Sequence, residues 1–315
     1  MPRYLLRRIG TAVVLVFLVL TLIFFIIRSV PGDPAQLLAS GGANGEATDE
    51  AVAQMRELLG LDRPLWQQFT DFVGGVVQGN LGTSFQDGRP VTSAIFERLP
   101  NSLELIGLAA LIGILIGIPL GVVAALRGGP VDVAVTGMTS FAISAPVYVV
   151  GVVLVYVFAL VLGWLPAGGY ASWADPGRHI RQLILPAIAL AIPFSSIVAR
   201  MTRSSILETR RQDWVRTAHS WGMKPRTVFV RHVFRNALTP VLTAVGLQIG
   251  LLLGSTVIVE RVFSYPGLGQ LMIDGVQNRD YPMVQGVVVI IAIIFIALNI
   301  VVDVLYGVLD PRVRR

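Results

Sequence analysis

The chain has 315 residues, of which 54% are apolar and only 14% charged, with a mean hydropathy of +0.71 and a formal net charge of +6. A soluble domain carries about a quarter charged residues, so this composition points to an all-α membrane protein, and in so apolar a chain the positive excess reads as a topology signal rather than a nucleic-acid footprint. Having no cysteine excludes disulfide scaffolds, thiolate zinc sites and cysteine nucleophiles, and only three histidines, His179, His219 and His232, argue against a histidine-rich metal site.

The first apolar run, Ile9–Ile27, stands behind Arg3, Arg7 and Arg8. It is too long for a signal-peptide core, and Val30-Pro31-Gly32-Asp33-Pro34 behind it lacks a small-residue cleavage pattern, so it is expected to remain as a first span. The segment from Pro31 to about Pro100 is richer in acidic than in basic residues. It predicts a helix over Asp49–Leu59, closed by Gly60, and a second from Pro64 to about Val77. In the second, Leu65, Trp66, Phe69, Phe72 and Val73 fall at helical spacing. Such patterning predicts a structured loop: a cap packed on the outer face, a docking surface for an external partner, or both. Further spans are expected over Ser102–Leu126, Val135–Leu162, Leu183–Ala199, Leu238–Val259 and Val284–Tyr306, six in all. The chain then divides into 1–101, the first span with its extracytoplasmic loop, and 102–315, a five-helix core containing the loop 200–237.

Six spans put both termini on one side, together with the loops near Arg127 and over 200–237. Those segments hold sixteen of the 25 basic residues, whereas acidic residues outnumber basic ones on the other side. The positive-inside rule therefore predicts a multi-pass protein with both termini in the cytoplasm. Six buried helices of a large soluble core would show no such sorting.

The missing chemistry is informative. A Walker A loop needs a lysine followed by a hydroxyl residue, and the single lysine, Lys224, precedes Pro225. Ionisable residues at membrane depth, the mark of ion-coupled carriers, are expected only near span ends, as Glu104 and Asp303. An intramembrane enzyme has no nucleophile or metal set here. A secondary transporter would carry intramembrane charges and an internal repeat, and neither is visible. What remains within or beside the spans is proline (Pro119, Pro146, Pro186 and Pro193), glycine and hydroxyls. Thr136, Ser140 and Ser144 form a stripe spaced by four, and Ser195, Ser196, Gln248, Ser255 and Thr256 add further polar groups. These serve helix packing or line an uncharged translocation path, with Gln248, long and mid-span, the strongest path residue.

The loop from Thr202 to Ala237 is the most informative segment. Asp213 is expected as an N-cap and Gly222 as a helix stop, with Pro225 soon after. Trp214, Ala218 and Trp221 stand at i, i+4 and i+7, and Val215 widens the stripe, while Arg216, Thr217, His219 and Ser220 face the other way. So short a helix does not persist alone in water and must pack on a protein groove or the membrane interface. A second helix, Arg226 to Arg235, is expected to lead into the fifth span at Pro240.

Arg216-Thr217-Ala218 with Gly222 four residues later resembles the coupling motif of bacterial ABC importer permeases, matching its second alanine and its glycine. Arg235-Asn236-Ala237 and Pro240 downstream are similar to the dipeptide/oligopeptide branch of that family. The resemblance extends through Pro31-Gly32-Asp33-Pro34, Leu59-Gly60-Leu61-Asp62-Arg63-Pro64, Gly79-Asn80-Leu81-Gly82, Arg98-Leu99-Pro100 and Trp164-Leu165-Pro166. It continues in Val259-Glu260, Phe263, Pro266-Gly267-Leu268-Gly269, Arg279-Asp280 and Asp310-Pro311-Arg312. Asn80 stands where the branch usually has aspartate. The resemblance implies a type I importer permease core, the first of two homologous permease subunits in a bacterial cell membrane. It also implies two ABC ATPase subunits that hold ATP and magnesium, an extracytoplasmic solute-binding protein, no cofactor in this chain, and ATPase contact through Asp213–Ala218, Trp221 and Gly222. The substrate implied is a di- or oligopeptide, with glutathione, a nickel chelate or an opine as alternatives in the same class.

Overall fold

The computed structural model describes residues 2–29, 32–40 and 47–309, with backbone only for 2–7, 9 and 302–309. Pro31, the tail Asp310-Pro311-Arg312 and the side chains of Arg3, Arg7 and Asp303 lie outside the described residues. Among those described, the chain is helical, with one isolated antiparallel bridge between Thr83 and Pro90. Five helices are long and apolar enough to cross a membrane, or six if one sharply bent pair is a single span. The chain divides into two compact units, Met1–Ser102 with Pro266–Ile296, and Leu103–Tyr265 with Ala297–Arg315.

In the first unit, α1 (Pro2–Ser29), α2 (Pro34–Ala39), α3 (Asp49–Leu58) and α4 (Leu65–Val77) precede the start of α5 (Val91–Arg127). The Asp33 carboxylate caps α2 by accepting from the Ala35 amide and also takes Arg56 Nε at 2.8 Å. Thr48 caps α3, whose first turn carries Asp49 and Glu50, a placement the helix dipole favours. α4 turns Phe69 and Phe72 toward Phe24 of α1, with ring centroids 5.2 and 6.0 Å apart. The core of the unit gathers Leu81, Val91, Ala94 and Ile95 against Leu268, Met283 and Val287. The last three belong to α11 (Leu268–Gln277), which periodicity did not announce, and to α12 (Tyr281–Leu309).

Many of the resembling motifs prove to be fastenings of this unit. Gly32, at φ +117°, holds a backbone conformation that L side chains rarely adopt, and a Cβ there would also displace the Arg279 guanidinium. Asn101 Nδ2 donates to the Pro266 carbonyl and the Leu268 amide to Ser102 Oγ, both at 2.8 Å. The carboxylate of Asp280, only 2% exposed, accepts from the Ser84 hydroxyl and from the amides of Phe85 and Met283. Asp280→Ala would leave three donors without their acceptor, and a buried unsatisfied donor costs about 1–3 kcal/mol. The expected result is markedly faster limited proteolysis of the segment 32–102 in detergent; an unchanged cleavage rate would remove Asp280 from this role.

In the second unit, α5 continues to Arg127, and Gly128 and Gly129, both at positive φ, make the tight link to α6 (Gly129–Ser144). The third span is not the single helix expected over Val135–Leu162. Ala145 is extended, as a residue before proline prefers, and Pro146 opens α7 (Val147–Val161) at 100° to α6. The last seven residues of α7 are π-helical. By contrast, α8 (Pro176–Arg210) runs unbroken through Pro186 and Pro193, and α5 through Pro119. After α9 (Asp213–Ser220), α10 (Pro225–Val262) is one helix, with a π-helical stretch at Phe229–Phe234. The separate helix expected over Arg226–Arg235 is its first turns, and Pro240 lies inside it. Glycines on α5 meet α8 closely: a Cβ on Gly117 would lie 2.6 Å from the Ser195 carbonyl oxygen, and one on Gly121 2.5 Å from that of Ala199. Such small-residue contact lets membrane helices approach closely.

Candidate functional site

Two regions of the second unit gather the residues singled out by the sequence. The first is α9. Gln212, extended, is the N-cap, and Asp213 is the first helical residue rather than the cap; its charge still favours the helix start. At the other end Gly222, at φ +76°, donates to the His219 carbonyl at 2.9 Å, and Met223 to that of Ala218 at 3.3 Å. That pair of bonds is a Schellman stop, for which glycine is the natural residue.

The helix packs by a different face than expected. Val215, 5% exposed, enters a core with Ala125, Ile206, Val228 and Val233, and Ala218 and Met223 pack against the same cluster. Trp214 is 39% exposed and Trp221 80%. Val215 and Ala218 are three residues apart and share a face, while the tryptophans flank it and project away from the cluster. The stripe Trp214–Ala218–Trp221 is therefore split: its alanine braces the chain's own core, while Trp214 lies edge-on to the His232 ring and Trp221 is exposed alongside Asp213, Arg216, Thr217 and Ser220. His219 Nδ1 donates to the Val215 carbonyl at 2.8 Å, a contact within the helix. Flanking bonds fix the base: Arg210 Nη1 donates to the Ala125 carbonyl at 3.1 Å, and Ser205 Oγ to that of Ala237 at 2.8 Å.

The second region is the hydroxyl stripe. Thr136, Ser140 and Ser144 are all exposed on α6 and lead to the break at Ala145. Thr136 lines a cavity of about 480 Å³ with Ile197, Arg200, Met201, Arg203 and Ser204 of α8. Beside it Arg203 grips Asp132 through two guanidinium nitrogens. The other polar residues divide. Ser195, Ser196 and Thr256 are buried and donate to carbonyls of their own helices, at Ile192 and Leu253, which is a packing role. Gln248 and Ser255 are half-buried.

Buried ionisable groups are more numerous than expected. Glu104 is not a simple helix-end residue: His179, 1% exposed, places Nε2 2.9 Å from Glu104 Oε1, while its Nδ1–H donates to the Ala171 carbonyl at 2.6 Å. Trp173 and Tyr170 pack on the imidazole, and Tyr265 packs on Tyr170. Burial, with the neighbouring Glu104, Tyr170 and Glu260, pushes the Tyr265 phenol well above its ordinary pKa, so it stays protonated. Glu260 is itself fully buried. Sequence spacing held no signal for these pairings, whose partners stand on different helices. In the other unit, the Arg89 guanidinium holds the exposed Asp87 carboxyl below its usual range. Among the described residues, no group of three His, Cys, Asp or Glu side chains is placed to hold a metal.

Membrane-length helices, a short braced helix between the fourth and fifth spans and a polar stripe ending at a helix break define the class: a membrane-embedded transport permease. The chain belongs to the family of binding-protein-dependent transport system inner membrane components, which matches residues 117–315, with the corresponding N-terminal family over residues 1–106. It is a multi-pass inner-membrane protein of the ABC transporter class with a type I importer permease fold. A probable peptide ABC transporter permease of Sinorhizobium fredii is 38% identical, over 99% of both chains. A putative peptide transport system permease of Brucella abortus is 40% identical over 100% of this chain and 99% of its own. A glutathione transport system permease of Salmonella typhi is 38% identical, with the same coverage. In fold it is similar to the MetNI methionine ABC transporter in inward-facing form, with TM-score 0.55, 17% identity and coverage of 69% of this chain and 96% of that one. A second similar structure is an amino acid ABC transporter with histidines, with TM-score 0.53, 22% identity and coverage of 70% and 94%.

Proposed function

We propose that this chain is one of two membrane-spanning subunits of an ATP-driven importer that carries di- or oligopeptides into a bacterial cell. It receives them from an extracytoplasmic binding protein and docks two ATPase subunits that hold ATP and magnesium; the chain hydrolyses nothing itself. Both termini and α9 lie in the cytoplasm, as the sorting of basic residues requires. The observation that carries the reading is α9. It is an eight-residue helix braced by Val215 and Ala218, which leaves Trp221 80% exposed and Trp214, edge-on to the His232 ring, 39% exposed. Large exposed aromatics on a rigid base are what an interface anchor needs. Thr136, Ser140 and Ser144, exposed up to the break before Pro146, offer uncharged hydroxyl groups to a passing peptide. Broken membrane helices place unwound backbone where it lines a cavity.

The test is co-purification of the ATPase subunits, followed by ATP-dependent uptake of labelled dipeptide into proteoliposomes with the binding protein present. Trp214→Ala with Trp221→Ala is expected to cut ATPase association at least about a hundredfold, since anchor residues cost about 2 kcal/mol or more each. The permease should still insert and unfold at its usual temperature. Normal association in the double variant would remove α9 as the docking element. Glutathione is the second substrate reading, because one of the full-length relatives is named for it. Uptake competition between dipeptides and glutathione separates the two.

A further inference from the structure

The first unit contains a cavity of about 310 Å³ that no step of the transport reading uses. That volume is at the lower end of small-ligand pockets. Its charged and amide lining is Arg28 at the end of α1, Arg63, Gln68, Asp71, Gln285 and Asn80, whose Oδ1 already accepts from the Gly82 amide.

Arg28 is a half-buried cation with no carboxylate partner among the described residues. Its Nε and Nη2 donate to Gln68 Oε1 at 3.3 and 2.9 Å, its Nη1 donates to the Phe24 carbonyl at 3.3 Å, and its guanidinium lies 3.6 Å from the Phe24 ring centroid. Gln68 is held in turn by giving its Nε2 hydrogens to the carbonyls of Leu61 and Arg63, at 3.1 and 2.7 Å. The guanidinium is thus fixed in place, and of its five N–H groups two remain unused. Gln285 lines the same cavity, is 5% exposed, and has a buried Nε2 with no hydrogen-bond partner. A buried unpaired donor is costly, and an acceptor in the cavity would satisfy it. Asp71, the one acid in the lining, already faces Arg63 at 3.4 Å. The lining therefore keeps one net positive charge.

We propose that this cavity binds an oxyanion, and that its occupant is the phosphate of a lipid headgroup. Depth argues for lipid over a soluble anion. Arg28 sits in the last turn of the apolar stretch Gly10–Ser29, 20 residues long. That length crosses a hydrocarbon core of about 30 Å, so its end lies at headgroup level. On the same helix Val13, Val14, Leu22 and Ile26 are 64, 63, 51 and 57% exposed, apolar surface spread around the helix that acyl chains cover and a free anion would not. The net positive charge selects an anionic headgroup over a zwitterionic one.

The probe is lipid retention by the full-length chain in mild detergent, read by native mass spectrometry after adding phosphatidylglycerol, phosphatidylcholine or inorganic phosphate. Phosphatidylglycerol should be retained in clear excess over phosphatidylcholine. Arg28→Gln should lower that retention about tenfold, the worth of a charge-assisted hydrogen bond, while Arg89→Gln on the exposed loop should not. Gln285→Leu removes the unpaired donor and keeps apolar bulk, so it should lower retention while leaving the unfolding temperature unchanged or raised. Should Arg28→Gln fail to fold, Gln285→Leu decides. Equal retention of both lipids, or no loss in Gln285→Leu, overturns the proposal. Displacement of phosphatidylglycerol by millimolar inorganic phosphate, or thermal protection by phosphate alone, assigns the cavity to a soluble anion and overturns the lipid assignment.

Discussion

Valine at Gly117 or at Gly121 should leave little folded protein to recover from the membrane. A Cβ on Gly117 falls 2.6 Å from the Ser195 carbonyl oxygen and 2.8 Å from Val198 Cβ, and one on Gly121 falls 2.5 Å from the Ala199 oxygen and 2.6 Å from Thr202 Cβ. The obstacles are largely helix backbone, which cannot rotate aside, so α5 and α8 would have to separate along their contact. Overpacking costs about 1–3 kcal/mol, and more where backbone must shift. Gly113 provides a graded comparison, because its nearest neighbour is the Phe194 ring, a side chain able to turn. Gly113→Ala should lower the unfolding temperature less than Gly117→Ala. Gly107, with nothing within 4 Å, should accept alanine without loss and with a gain of up to about 1 kcal/mol in helix propensity. Fluorescence-detected gel filtration after a temperature ramp reads the series. Equal midpoints for the alanine variants at positions 107 and 117 would mean that the two helices are not in contact there.

Val215→Asp should be the most damaging single change in the 200–237 loop. Val215 is 5% exposed and packs among the apolar side chains of Ala125, Ile206, Val228 and Val233. An unpaired buried charge costs about 3–5 kcal/mol, more than an eight-residue helix recovers from its own hydrogen bonds. α9 should detach, the loop should become a protease target, and ATPase association should go with it. Ala218→Asp should act in the same direction and more weakly, since Ala218 is only half-buried. The contrast with Trp221→Ala is diagnostic: an anchor on the free face should lose the partner without exposing the loop to protease. If Val215→Asp leaves the proteolysis pattern intact, the helix is not braced by this core.

The expectations for the loop show where sequence reasoning stopped. Helix existence and its glycine stop are local matters, and both stand: Gly222 closes α9 because a left-handed residue is needed there. Spacing places Trp214, Val215, Ala218 and Trp221 in one stripe, but on a helix only two turns long it does not say which of them turn inward. Trp214 and Trp221 looked like packing residues because tryptophan is large and apolar. Only the surrounding α5, α8 and α10 could show that Val215 and Ala218, rather than the tryptophans, enter the cluster beneath α9.

Most spans and the glycine stop at Gly222 were legible because each depends on neighbours within a few residues, although the cap of α9 falls on Gln212 rather than Asp213 and the third span is broken. Runs of about 20 apolar residues, the proline after Ala145 and the arginine-rich segments all carry their signal along the chain. Whether a proline breaks a helix is different: Pro146 ends α6, while Pro186 and Pro193 lie inside an unbroken α8, 72% of whose most apolar window is buried. Packing around α8 compensates for the lost hydrogen bonds, and residue order does not record it. The same holds for Glu104 with His179, 75 residues apart, for Ser84 with Asp280, 196 apart, and for Arg28 with Gln68, 40 apart. Polar groups shielded from water must find partners wherever the fold brings them. Those partners are set by which helices meet, and that is a property of the packed chain rather than of any stretch of it.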